Sequence, residues 1–153
     1  MPAKSAGLVI HRRRPGGPGT EVLLVHPGGP WWAGRDDGAW SIPKGEYGPD
    51  EDPLGVARRE FLEELGLDPP EGEVVDLGEV RQAGGKRVRA WALAGDLDVA
   101  VIRSNTFEIE WPPRSGTMRV FPEVDRAAWF PLEVAKTKVL SGQVPLLESL
   151  DSG

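Results

Sequence analysis

The chain has 153 residues, 39% of them hydrophobic, and a formal net charge of −6, which suits one compact domain over residues 1–153 rather than a disordered chain or two domains. It contains no cysteine, which excludes disulfides, zinc–thiolate sites and thiol nucleophiles. No apolar stretch is long enough to cross a membrane, residues 1–7 have no apolar core of signal-peptide length, and the acidic balance argues against long nucleic acids as partners; the expected setting is the cytoplasm.

Residues 7–13, with Leu8-Val9-Ile10 at the centre, predict a strand, and residues 21–26 its hairpin partner across Pro15-Gly16-Gly17-Pro18-Gly19. His11 and His26 flank these strands and are assigned no catalytic role. Residues 27–38 are a loop rich in glycine and proline. Its two indoles, Trp31 and Trp32, either cover the core or stack on a base. Trp40-Ser41-Ile42-Pro43 predicts a short strand that leads into Lys44 and Gly45.

Asp50, Glu51, Asp52 and Pro53 mark a helix start, with acidic residues near the positive helix end and proline in the first turn. Residues 54–65 are mostly good helix formers, and Gly66 suits the left-handed cap that ends a helix. At about 100° per residue, Leu54, Ala57, Phe61 and Leu65 share one stripe that should pack on a sheet. Glu60, Glu63 and Glu64 stand at i, i+3 and i+4, so their carboxylates converge on another face and repel one another. A solvated acidic face would explain the charges alone. The accompanying Gly45, Glu51 and Arg59 favour a divalent cation held by hard oxygen ligands on a rigid element.

Residues 73–82 and 88–93 predict a second hairpin around Gly84-Gly85. It gathers Arg81, Lys86, Arg87 and Arg89, which either meet a polyphosphate tail, with Arg81 and Arg87 as the named contacts, or form a charged hairpin that keeps the chain in solution. Residues 104–116 are long for a simple connection and include Arg114, a further candidate phosphate contact. Short strands are predicted over 107–111, 118–121 and 129–130. A closing helix over 132–140 should turn Leu132, Ala135, Val139 and Leu140 inward.

From Gly45 to Leu67 the chain matches every defined position of the Nudix box, G-x5-E-x7-R-E-U-x-E-E-x-G-U, with Phe61 and Leu67 as the bulky apolar residues. The chain thus resembles a Nudix hydrolase. The resemblance implies an α/β/α sandwich, a mixed sheet between helices, that uses Mg²⁺ or Mn²⁺ to hydrolyse a nucleoside diphosphate linked to another group. It implies Glu60, Glu63, Glu64 and the backbone carbonyl of Lys44 as metal ligands, and Glu51 with Arg59 as the pair that ties loop to helix. Residues 121–133 resemble a common Nudix C-terminal stretch, in which Glu123, six residues before Trp129, holds the place of a metal-binding or basic glutamate. The general base is then Glu123 or a box glutamate such as Glu63 or Glu64.

Pro43-Lys44-Gly45 resembles the lead-in of dinucleoside polyphosphate hydrolases, with Lys44 as a phosphate contact. Ala83, Gly84 and Gly85 stand where some of those enzymes carry a tyrosine. The expected activity is a Mg²⁺-dependent pyrophosphohydrolase of small nucleotides, with dinucleoside polyphosphates first and nucleoside triphosphates second. The alternatives are a nucleotide-sensing module without turnover and a pyrophosphohydrolase of RNA 5′ ends. The family resemblance leaves a homodimer open.

Overall fold

The computed structural model describes residues 3–151. β1 (Lys4–Arg13) and β2 (Thr20–Pro27) form the expected hairpin, with His11 opposite Val22. β3 (Lys44–Glu46) lies antiparallel on Ser5–Gly7 of β1. α1 (Pro53–Leu65) follows, then β4 (Val74–Arg81) and β5 (Arg87–Ala94), the second expected hairpin. β6 (Thr106–Glu110) and β7 (Met118–Pro122) pair only with each other. β8 (Val124–Pro131), α2 (Leu132–Lys138) and α3 (Val144–Asp151) complete the chain.

The main sheet runs β4-β5-β1-β2-β8, with β3 on β1. β1 is parallel to β5 and every other pair is antiparallel, so the sheet is mixed. A central strand covered on both faces should read as a continuous apolar run. Leu8, Val9 and Ile10 do so, all at 0% exposure. Alternation sends their side chains to opposite layers. Leu8, Ile10, Leu23 and Leu93 pack with Ala57, Phe61 and Leu65 of α1. Val9, Leu24 and Ala90 pack with Leu132 and Ala135 of α2 and Leu146 and Leu147 of α3. The molecule is therefore the expected α/β/α sandwich.

α1 follows its sequence signals closely. Asp52 caps it by accepting the Gly55 N–H at 3.1 Å, and Pro53 opens the first turn. Gly66 ends it at φ 71°, its N–H bonded to the Leu62 carbonyl at 2.7 Å. Of the predicted stripe, Ala57, Phe61 and Leu65 are buried and Leu54 is half-buried.

Four features differ from expectation. Residues 40–43 form no strand of their own. They touch β2 through Ser41 opposite Val25 and touch the end of α2 through Trp40. β8 extends well before Trp129. Leu140 is half-buried, and Val139 rather than Leu140 completes the inner face of α2. Sequence reasoning did not foresee α3, whose Leu146 and Leu147 are fully buried. No helix among the described residues is long and apolar enough to cross a membrane.

Candidate functional site

The site lies where β1 and β2 part. Residues 40–46 fill the gap: Ser41 exchanges two backbone hydrogen bonds with Val25 of β2, at 2.8 and 3.0 Å, while Lys44–Glu46 pairs with β1. This wedge carries Lys44 and Gly45 across the face of α1. A Cβ on Gly45 would lie 2.2 Å from Cγ and Cδ of Glu60, so only glycine lets the Glu60 carboxyl lie against this backbone. A cavity of about 240 Å³ opens here, lined among others by Ser5, Lys44, Glu60, Glu64, Asn105 and Glu123.

Glu123 reaches the cavity from between β7 and β8. Its N–H donates to the Asn105 carbonyl at 2.9 Å, and the Asn105 N–H donates to the Glu63 carbonyl at 2.9 Å. The end of α1 and the link between β7 and β8 that carries Glu123 are thus tied through one residue. On the outer side, Glu51 accepts the Gly48 N–H at 2.9 Å and meets Arg59 at 3.4 Å. Arg59 also lies 3.7 Å from Glu60 and 4.0 Å from Glu63. The box arginine is the cation that offsets repulsion between the helix carboxylates.

Burial pushes the Glu64 carboxyl up to about 8; Glu60 and Glu123 add to the rise, and Lys44 opposes it. Glu60 is raised too, by burial first and then by Glu63. Desolvation lowers Lys44 against the attraction of Glu64. Glu51 is lowered, chiefly by the Gly48 N–H it accepts. The inner carboxylates therefore lack compensating positive charge, whereas the outer one has it.

A second cavity, of about 330 Å³, shares Lys44, Glu64 and Glu123 with the first. Its walls include Trp32, Ile42, Leu140, Gln82 and Lys86. The loop carrying Trp32 is held at both ends. Trp31 packs edge-on against Trp111 at 4.9 Å. Buried His26 binds the Arg35 carbonyl at 2.7 Å through Nε2 and Asp125 at 3.0 Å through Nδ1. Lys138 pairs with Asp36 and Asp37 at 2.6 and 2.9 Å. His26 is thus a buried structural residue.

The structure brings Lys44, Glu60, Glu64 and Glu123 together and sets the other candidates apart. Glu63 is exposed beside Arg59 and lines neither cavity. Arg81 and Arg87 oppose each other across β4 and β5, and Arg87 pairs with Glu79 at 3.5 Å instead of facing the cavity. Arg114 sits in the turn between β6 and β7 at φ 63°, its N–H bonded to Glu110 at 2.9 Å, and it too lines neither cavity. Lys86, one residue from Arg87, is the basic residue of that hairpin that does line the cavity. Sequence reasoning gave no site role to Ser5 or Gln82, and Asn105 entered only as part of the long 104–116 stretch, because neutral side chains carry no charge pattern to mark them.

The donor chemistry suits a divalent cation: carboxylates, an amide, a hydroxyl and backbone carbonyls are hard oxygen ligands, and two of the carboxylates are under-compensated. Among the described residues, no three carboxylate or imidazole side chains are gathered closely enough to form a finished coordination shell. The fit is therefore one of donor type, not of preset geometry.

Several solved structures share the fold. A Caenorhabditis elegans Ap4A hydrolase binary complex matches at 24% identity and TM-score 0.64, covering 98% of this chain and 96% of that one. The NUDIX domain of Shewanella oneidensis NrtR, complexed with ADP ribose, matches at 16% identity and TM-score 0.65, covering 99% and 88%. A MutT protein from Methanosarcina mazei matches at 21% identity and TM-score 0.61, covering 98% and 93%. No curated protein matches the sequence. The family model described as NUDIX domain spans residues 1–150, and the chain belongs to that family, the family of the Nudix hydrolases.

Proposed function

We propose that this Nudix hydrolase is a Mg²⁺-dependent pyrophosphohydrolase that cleaves a P–O–P bond in a nucleotide-like substrate. One observation carries the reading: Lys44, Glu64 and Glu123 line both the acidic cavity and the tryptophan-walled cavity. A diphosphate at that junction has carboxylates on one side and room for a nucleoside on the other. Glu60 and Glu64 would hold the ion, with the carbonyl of Lys44 and Glu123 beside them. When bound, Mg²⁺ neutralises phosphate charge and acidifies the attacking water.

The chain's own groups supply the rest. Lys44 and Lys86 hold phosphate oxygens as compact point charges. Glu123, exposed at the junction, takes the proton from the attacking water. Arg59 and Glu51 keep Glu60 in place without touching substrate. Pro43-Lys44-Gly45 and the likeness to C. elegans Ap4A hydrolase support dinucleoside polyphosphates as the first class to try, with nucleoside triphosphates second. The test is release of phosphate or mononucleotide from a panel of both classes, ADP-ribose and triphosphorylated RNA, with and without Mg²⁺. The expected result is metal-dependent turnover of one small-nucleotide class, lost in Glu64→Gln. Tight binding without release would instead make the protein a sensor.

A further inference from the structure

We propose that Gln82 reads the base of the substrate, as a fixed hydrogen-bond donor to a carbonyl oxygen, so that guanine or uracil is taken in preference to adenine or cytosine. This rests on the nucleotide reading above and deepens it.

The argument starts from a backbone amide, which can only donate. The Ile42 N–H donates to Oε1 of Gln143 at 3.0 Å. Gln143 is fully buried, so its oxygen is pinned there and its amide nitrogen must face the other way. That nitrogen donates to Ser41 Oγ at 3.0 Å and to Gln82 Oε1 at 2.8 Å. Ser41 spends its own proton on the Ile42 carbonyl, at 2.7 Å. The chain of donors fixes the Gln82 amide as well: turning it over would set one NH₂ group against another and leave a buried donor unpaired, at a cost of about 1–3 kcal/mol.

The Gln82 oxygen is therefore taken, and among the described residues its nitrogen has no protein partner. Among the described residues no buried side-chain nitrogen or oxygen lacks a partner. The Gln82 nitrogen is accordingly open to solvent, in a residue that lines the same cavity as Trp32. Its backbone is held too, the Gln82 N–H donating to the Lys86 carbonyl at 2.7 Å and the Gly85 N–H to the Gln82 carbonyl at 3.1 Å. The charged groups of this cavity, Lys44 and Lys86 with Glu64 and Glu123, serve phosphates and a cation. A neutral donor beside the apolar walls of Trp32, Ile42 and Leu140 serves a base. Guanine and uracil offer a carbonyl acceptor on the edge where adenine and cytosine offer an amino donor.

The experiment compares GTP and UTP with ATP and CTP, and diguanosine with diadenosine polyphosphates. Calorimetry in EDTA gives dissociation constants without turnover, and release assays with Mg²⁺ give kcat/KM. Wild type should favour the carbonyl bases by about 10-fold. In Gln82→Glu one carboxylate oxygen still accepts from Gln143 and the other faces the cavity as an acceptor, so the order should reverse. In Gln82→Leu the ratio should fall to about one, and this variant decides the matter if Gln82→Glu does not fold. A preference of wild type for adenine, or a ratio unmoved in the folded variants, overturns the assignment while leaving the hydrolase standing. Binding in the expected order and reversed in Gln82→Glu, but with no turnover, sinks the hydrolase and keeps the assignment. No binding of any nucleotide overturns both.

Discussion

At Glu64 burial works against the charge that the site needs. Its carboxyl is held near 8 against an ordinary 4.5, so the folded protein keeps a proton that the unfolded chain has released. Between those values stability must fall as pH rises, and what remains at low pH is lost as pH climbs through the folded value. Melting curves in EDTA should therefore show Tm dropping from pH 5 to pH 8. Glu64→Gln should flatten most of that slope, leaving a small remainder in which Glu60 keeps the same sign and His11, lowered by burial, opposes it, and Mg²⁺ or Mn²⁺ should restore Tm mainly at the alkaline end. Gly45→Ala tests the neighbouring contact: its methyl displaces the flexible Glu60 carboxyl, so Mn²⁺ affinity measured by calorimetry should fall at least about 10-fold, with little change in Tm. Charged residues at helical spacing made Glu60 and Glu64 legible in the sequence. Glu63 matched the same spacing, yet it shares a side with Arg59 and solvent; i, i+3 and i+4 set a common face but not which part of it meets the cavity.

α1 carries most of the site, and what keeps it in register lies at its ends. Arg59→Ala should leave the fold almost unchanged, since an exposed ion pair is worth about 0–1 kcal/mol, yet lower kcat by about 10-fold because Glu60 loses its outer partner. Steady-state kinetics beside a melting curve would separate the two effects. Gly66→Ala should do the reverse, destabilising by at least about 1 kcal/mol, because the new Cβ would sit 2.5 Å from the Arg103 carbonyl at φ 71°. α1 was readable because cap, proline, stripe and terminal glycine all agreed. α3 was not: its eight residues give barely two turns in which to see a period, and Pro145 stands near its start. β8 was read only at Trp129 and Phe130 because it is an edge strand, whose exposed Asp125 and Arg126 hide the pattern. The strands β6 and β7 are legible but not their pairing as a ribbon apart from the main sheet, which leaves Arg114 in a turn that local spacing could not place.

Across the whole molecule, one glutamine joins the α2–α3 layer to the wedge beneath the site. Gln143→Leu would strip the Ile42 N–H of its acceptor, at about 1–3 kcal/mol, and denaturant unfolding should show that loss as a lower midpoint. Nothing in the sequence marks a pairing over 101 residues between Ile42 and Gln143, since neutral amides carry neither periodicity nor charge. The wedge itself has a temporal consequence. Because residues 40–46 complete the sheet between β1 and β2, the floor of the site cannot breathe without parting the central strands. Deuterium should therefore enter the amides of Ser41 and Tyr47, bonded to Val25 and Lys4, only as fast as the entire domain opens, while the amides of Gly29 and of residues 31–34 exchange through small local excursions.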